Sequence, residues 1–461
     1  MAHTALLVVH GIGAQEPGET RKKLADGLRR IDRGVPPEIA DGTVITVGGQ
    51  PIRLYEVYWA DILKGDRTRG AFQMDELQSV SWFPWFNFRR GNYRPGSYSL
   101  LKLTWWWVVL PIFNFFVLFA YHGAGFFAQI FTGDRGVRPL EPGGNNVVRA
   151  PRKLFGSNAR LTVVDRILDE YAGDVFSYVN SAGQAFYRAE GEPPVPPEIQ
   201  RAYAGIVQRV YDQLLKADAD GCSAIQIVAH SLGTVVTYHA LTGFSADPAR
   251  PDTTAIRTAL AKVRCLYTIG SPLEKIRFFW PRIMPVTSPR SDMTLRWQNF
   301  VSFFDPVSGW LRSFDDWGHI ANRRLLGGGF FRGHVVYERS PVFLCALAEG
   351  LSGRSITLQR SLSDRMWDIL LLLGETLSAP FVLLITLAVG AMLFALVAAL
   401  IPFLLSLPLR PFLARELWSP VVDRVSLGIL ALMVITFLIT PILRARTVHA
   451  LYWAQSPDKR G

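Results

Sequence analysis

The chain has 461 residues, of which 49% are hydrophobic and 19% are charged. This hydrophobic share supports a buried core and excludes a disordered chain, and three cysteines are too few for a disulfide-stapled scaffold. Long polar stretches exclude a polytopic transporter, so we expect a globular part with a few membrane segments. The formal net charge is +11, and because no nucleic-acid-binding motif accompanies it, we expect an anionic membrane as partner and no nucleic acid.

Residues 1–75 predict the first part of an α/β domain. The apolar run 5–9 indicates a buried strand that stops at the HGIG motif of residues 10–13. An amphipathic helix over 20–31 and strands near 44–47 and 54–59 follow it, the alternation typical of a parallel sheet. The run 5–9 is too short for a signal peptide and has no basic segment before it.

Residues 76–153 interrupt this pattern and predict a hydrophobic, membrane-associated insertion. Its segment 103–133 contains no charged side chain, and lysines and arginines flank both of its ends. Basic flanks on both sides place both ends in the cytoplasm. Because the segment is short for two complete spans, we expect a re-entrant segment, a tilted hairpin or an apolar lid.

Residues 154–365 predict the second part of the same α/β domain. Apolar residues at helical spacing mark a helix over 199–214, and strands are expected over 224–228, 263–269 and 295–304. An apolar helix should begin near residue 341. Since these strands must share a sheet with the strand at 5–9, all of them lie on one side of any membrane.

Residues 366–461 predict a transmembrane helix pair with a basic tail. Stretches 376–409 and 425–443 contain no charged side chain, which is long enough for spans at about 381–403 and 425–443. Six lysines and arginines lie on the globular side of this pair, against three in the connecting loop. This bias places the globular part and the C-terminus on the cytoplasmic side of the cell membrane.

The AHSLG motif at 229–233 marks Ser231 as a candidate nucleophile. It follows a predicted strand and precedes a predicted helix, and a tight strand-to-helix turn needs small residues two positions before and two after the serine. Ala229 and Gly233 meet that need. The alternative is a serine that only caps the helix, but the strand–motif–helix context favours the nucleophile.

The HGIG motif is the candidate oxyanion hole. Loops of this type supply a backbone N–H to the developing oxyanion, and Gly11 and Gly13 would let the main chain approach the substrate oxygen. We expect the two donors to be the N–H groups of Ile12 and of Leu232, the residue after the nucleophile. His10 completes the motif.

Asp305 is the preferred acid of a catalytic triad, because it follows an apolar strand directly and the chain order serine, acid, histidine is then kept. Asp292, Asp315 and Asp316 are alternatives, but each lies in a more polar stretch and is read as a solvated loop carboxylate.

His334 is the preferred base. It follows the glycine-rich run 327–333 and precedes an apolar helix, a place from which a histidine can reach over the serine. His319 is the rival, and His449 is disfavoured because it lies beyond both predicted spans.

These motifs make the chain similar to the α/β-hydrolase superfamily, in its lipase/esterase-like branch. The matching pieces are LLVVHGIG, IQIVAHSLGTVV, LYTIGSPL, NFVSFFDPV and the histidine of GHVVYE, which span residues 5–345. The resemblance implies the α/β-hydrolase fold and cleavage of a carboxylic ester, in a lipid or another apolar molecule, through an acyl-enzyme. Ser231 would attack, His334 would carry the proton and Asp305 would orient the imidazole, with no cofactor.

Two other functions stay open from the sequence. One is a non-catalytic docking protein that keeps the hydrolase fold, and the other is an acyltransferase that uses the same triad. The histidines are not spaced with cysteines or acids as ligand sets, so we expect no metal. The insertion and the C-terminal region depart from the family pattern and bear on how substrate reaches the site.

Overall fold

The computed structural model describes residues 3–11, 15–64, 80–89, 197–242, 253–280, 295–302, 307–314, 320–325, 333–356 and 420–432, with isolated residues elsewhere such as Asp305. The chain divides into two compact units. The first comprises Met1–Arg67, Gly173–Ala379 and Ser456–Gly461, and the second comprises Thr68–Ala172 and Pro380–Gln455. The predicted insertion and both predicted spans therefore belong to the second unit.

The first unit is built on a seven-stranded sheet. Its strands are β1 (Thr4–Val9), β2 (Thr43–Val47), β3 (Gln50–Val57), β4 (Ala224–His230), β5 (Val263–Ile269), β6 (Arg296–Ser302) and β7 (Ile320–Leu325). Their order across the sheet is β2-β3-β1-β4-β5-β6-β7. All neighbouring pairs are parallel except the β2–β3 pair. This mostly parallel sheet confirms the predicted α/β class.

Helices connect and cover the strands. Those of the first unit are α1 (Glu19–Arg29), α2 (Ala60–Lys64), α4 (Pro197–Ala219), α5 (Leu232–Thr242), α6 (Thr253–Ala261), α7 (Leu273–Phe279) and α8 (Pro341–Ser352). A 3-10 turn, Tyr337–Arg339, precedes α8, and α3 (Phe83–Arg89) belongs to the second unit.

The centre of the sheet is covered on both faces. In β1 every residue from Ala5 to Val9 is at most 1% exposed, as an uninterrupted apolar run predicts for a parallel strand between helix layers. Leu6 and Val8 pack in a core that includes residues of α1 and α8. Helices α4 and α5 also contact β1, and because side chains alternate along a strand, we place them on the opposite face.

Strands β2, β4 and β5 lie close to their predicted ranges, whereas β3 begins at Gln50 rather than near residue 54 and ends at Val57 rather than near residue 59. β6 spans Arg296–Ser302, and residues 303 and 304 of its predicted range lie outside the described residues. β7 was not predicted. β7 lies at the edge of the sheet, where its Arg323 and Arg324 are exposed. An edge strand with polar side chains has no apolar run by which the sequence could reveal it.

Within the part of the chain that the structure describes, no helix combines the length and the apolar character needed to cross a bilayer. The predicted spans 381–403 and 425–443 lie partly outside the described residues, and segment 103–133 lies wholly outside them. Where the C-terminal region is described, stretches 398–403 and 420–432 are helical.

Candidate active site

Ser231 occupies the turn between β4 and α5. Its φ is +52°, a backbone conformation that residues with a Cβ atom rarely adopt. Among the described residues, Ser231 is the one non-glycine residue with a positive φ. The Ser231 N–H donates to the Ile269 carbonyl at 3.0 Å, and its own carbonyl accepts from the Thr234 N–H at 3.0 Å. The strained turn is thus fixed from β5 on one side and from α5 on the other, as a nucleophile elbow requires.

Gly233 lets α5 approach β1. A Cβ atom at this position would lie 2.3 Å from the His10 carbonyl oxygen and 2.9 Å from that of Val9, distances that no real Cβ could keep. Ala229, on the other side of the serine, is fully buried in β4. The small residues around Ser231 therefore have the packing role that the motif predicts.

The structure brings the three predicted triad residues together. His334 Nε2 lies 2.8 Å from Ser231 Oγ, and His334 Nδ1 lies 2.9 Å from Asp305 Oδ2. An ionised carboxylate only accepts hydrogen bonds, so Nδ1 carries the hydrogen and Nε2 is free to accept the Ser231 proton. All three side chains are buried, which keeps water from competing for these bonds.

Asp305 receives hydrogen bonds from several directions. Besides His334, the Tyr337 hydroxyl donates to Oδ2 at 2.6 Å and the Val307 N–H donates to Oδ1 at 2.8 Å. Burial alone would raise the pKa of Asp305. The hydrogen bond and the charge of His334, together with the hydrogen bonds from Tyr337 and Val307, outweigh burial and hold the pKa well below its usual range. Asp305 is therefore an anion at neutral pH.

Tyr337 was not predicted as a site residue. Burial, and then the charge of Asp305, raise the pKa of Tyr337, so its hydroxyl remains a donor. The same oxygen accepts from the Ser302 N–H at 3.0 Å at the end of β6. The available signal was its place three residues after His334, at the start of the 3-10 turn Tyr337–Arg339.

The residue after β1 lies against Ser231. A Cβ atom on Gly11 would be 2.7 Å from Ser231 Cβ, so this glycine lets the main chain approach the serine. Leu232 begins α5, and the first N–H groups of a helix have no intrahelical acceptor and favour negative charge. Ile12 and Gly13 lie outside the described residues, and both oxyanion donors, Ile12 and Leu232, stay predictions.

His10 anchors this loop as a neutral imidazole. Its Nε2 accepts from the Trp59 N–H at 2.9 Å, so its Nδ1 carries the hydrogen and donates to the Gly11 carbonyl at 2.7 Å. The ring stacks on that of Trp59 with centroids 4.6 Å apart. Burial lowers the pKa of His10 to about 4, which keeps it neutral beside the nucleophile.

The other candidates for the acid and the base lie outside the described residues: Asp292, Asp315, Asp316, His319 and His449. In the described stretches, no three histidine, cysteine or acidic side chains are grouped so that they could hold a metal ion.

Comparisons of this chain with family models, with curated proteins and with solved structures find no match. A fold class by itself does not fix a function. The chemistry must therefore be argued from the geometry around Ser231.

Proposed function

We propose that the chain is a serine hydrolase of the α/β-hydrolase type that cleaves a carboxylic ester. The observation that carries this proposal is the hydrogen-bonded line from Ser231 through His334 to Asp305. An imidazole that accepts from a serine Oγ and is itself held by a carboxylate is the arrangement that activates a serine as the nucleophile of acyl transfer, to water or to another acceptor.

The reaction follows from the direction of these bonds. Ser231 Oγ attacks the ester carbonyl carbon while His334 Nε2 takes its proton, and Asp305 stabilises the resulting imidazolium. The Leu232 N–H stabilises the tetrahedral oxyanion. Collapse breaks the bond to the alcohol oxygen, which leaves with the proton from His334. Water, activated by the same histidine, then adds to the acyl-enzyme and releases the acid and free Ser231.

The sheet topology supports the hydrolase type. The nucleophile follows β4, the glycine loop follows the neighbouring β1, and the acid follows β6, two strands away on the other side. Since the carboxyl ends of parallel strands meet at one edge of a sheet, these groups converge there. This is the arrangement that the α/β-hydrolase resemblance predicts.

We further propose a lipid or another apolar ester as substrate and the cytoplasmic face of the cell membrane as location. Leu396, Leu400 and Phe403, spaced along one helical face of the second unit, are 49%, 44% and 56% exposed. Exposed rows of large apolar side chains mark surfaces that meet lipid or another protein. The net charge of +11 favours anionic lipid.

The proposal is tested with a fluorophosphonate probe and a p-nitrophenyl ester on the full-length chain in detergent. The native chain should be labelled and active. Ser231→Ala should be unlabelled, with turnover lower by a factor on the order of 10⁶. Ser223→Ala, an exposed serine just before β4, is the matched control and should behave as native.

An unlabelled native chain would support the docking protein instead. If the native chain is labelled but passes the acyl group mainly to added alcohols rather than to water, the result would support an acyltransferase.

A further inference from the structure

A second buried pair of an acid and an imidazole lies beside the triad. His230 is the last residue of β4, directly before the nucleophile, and Glu338 lies in the 3-10 turn after His334. Their exposures are 7% and 6%. The reaction described above uses neither side chain. Burying such groups costs free energy unless they are paired. Their position next to His334 therefore suggests that they act on this residue.

The His230 ring lies between Glu338 and the main chain of His334. Its Nε2 lies 2.9 Å from the backbone oxygen of His334, and its Nδ1 lies 3.4 Å from Glu338 Oε1. The ring centroids of His230 and His334 are 5.1 Å apart. A carbonyl oxygen can only accept, so His230 Nε2 must carry a hydrogen and donate it to the His334 main chain.

Glu338 bears on how the His230 ring is turned. Its Oε1 lies 3.4 Å from Nδ1, on the other side of the ring from the nitrogen that donates to His334. A ring contacted at both nitrogens is restrained from rotating about its Cβ–Cγ bond. Without Glu338 one of these two contacts is lost, and the bond from Nε2 to the His334 carbonyl is held less firmly.

We propose that Glu338 and His230 are positioning residues for the base, a role that rests on the proposed function. Glu338 holds the His230 ring in this orientation, and His230 holds the His334 main chain against β4, the strand that ends directly before Ser231. Asp305 holds the same histidine by its side chain. His334 is thus fixed at two points, its backbone carbonyl and its ring Nδ1. Its Nε2 lies 2.8 Å from Ser231 Oγ.

The test uses two matched pairs of variants in the full-length chain. A glutamine at position 230 can place an amide N–H where Nε2 stands, whereas an asparagine reaches only the Nδ1 position. We therefore expect His230→Asn to lower kcat about 10- to 100-fold, the cost of a misplaced catalytic group, with KM and Tm close to native. His230→Gln should keep most of the activity.

Glu338→Ala and Glu338→Gln form the second pair. The alanine variant should lose kcat as His230→Asn does, and the glutamine variant, which can still hydrogen bond to Nδ1, should keep it. The double variant His230→Asn/Glu338→Ala should be no worse than either single change, because both act through one hydrogen bond to His334. A merely structural role would instead lower Tm and leave kcat of the folded fraction unchanged.

Equal losses in the asparagine and glutamine variants of His230, or native kcat in His230→Asn, would overturn the positioning role. If the His230 variants do not fold, the Glu338 pair decides by the same comparison. A native chain that the fluorophosphonate does not label overturns the hydrolase and the positioning role together. Ser231-dependent activity that is indifferent to His230→Asn overturns the positioning role alone.

Discussion

Tyr337 binds the Asp305 carboxylate through its hydroxyl group and receives a hydrogen bond from the Ser302 main chain. Replacing it with phenylalanine removes one donor to the anion and leaves a buried N–H without its acceptor. We expect Tyr337→Phe to lower kcat/KM about tenfold and the free energy of unfolding by about 1–3 kcal/mol. Tyr267→Phe is the control, because its hydroxyl donates to Gln226 instead. It should lose stability but keep kcat/KM, and an unchanged kcat/KM in Tyr337→Phe would contradict the prediction.

The sequence predicted three residues that the structure brings together, because motifs and chain order point to them. Ser231 stands in a recognisable elbow, and chain order selected Asp305 and His334. Tyr337 and Glu338 were missed because their roles come from one 3-10 turn that carries them toward β6 and β4. The contacts of Tyr337 and Glu338 join residues that are far apart in the sequence. A local sequence pattern does not predict contacts of this kind.

Two buried histidines make stability depend on pH. Burial lowers the pKa of both His10 and His239 to about 4, whereas in the unfolded chain a histidine has a pKa of about 6.5. Between these values the unfolded state binds protons that the folded state does not. The free energy of unfolding should therefore fall with decreasing pH, by about 1.4 kcal/mol per pH unit for each histidine.

The contribution of His239 can be isolated by denaturation at a series of pH values. His239→Gln should reduce the slope of unfolding free energy against pH by about one proton. Tyr178→Phe removes the hydroxyl that lies 2.8 Å from His239 Nδ1 but keeps the imidazole, so it should lower stability and keep most of the slope. An unchanged slope in His239→Gln would show that this histidine is not the titrating group.

At the level of secondary structure, buried polar side chains tie β5, β6 and β7 together. Asn299 accepts from the Thr268 hydroxyl at 2.9 Å and donates to Asn322 Oδ1 at 2.8 Å and to the Gly309 carbonyl at 3.0 Å. The bond to Gly309 also holds the loop after Asp305. Asn322 and the exposed Arg323 and Arg324 give β7 a polar sequence, which is why hydrophobic patterning found β5 but not β7.

Asn299→Ala should leave these three partners without the hydrogen bonds that Asn299 makes to them. We expect a loss of about 2–3 kcal/mol in the free energy of unfolding, typical of buried groups that lose their hydrogen bonds, measured by urea denaturation. Arg296→Ala, at the exposed start of the same strand, is the control and should change stability by less than about 0.5 kcal/mol. Equal effects of the two substitutions would show that the network adds nothing to the strand.

For the molecule as a whole, the proposed orientation can be tested with a membrane-impermeant thiol reagent on intact cells. After replacement of the three native cysteines, single cysteines are placed near residues 95, 145, 415 and 455. Only the one near 415 should be labelled, because basic flanks stay in the cytoplasm. Labelling near 95 or 145 would put the catalytic unit outside the cell, and labelling at none of the four would contradict the helix pair.

The pairing of β1 with β4 has a consequence for how the chain is made. Thr4 lies beside Ala224, and the register continues to Val9 beside Ala229, so this pair joins strands about 220 residues apart in the sequence. Closing so long a loop slows folding. During synthesis β1 leaves the ribosome long before β4 exists. The edge of β1 that later pairs with β4 stays open meanwhile, and the strand is apolar from Ala5 to Val9. Because open apolar edges aggregate, the nascent chain should need a chaperone until β4 has emerged.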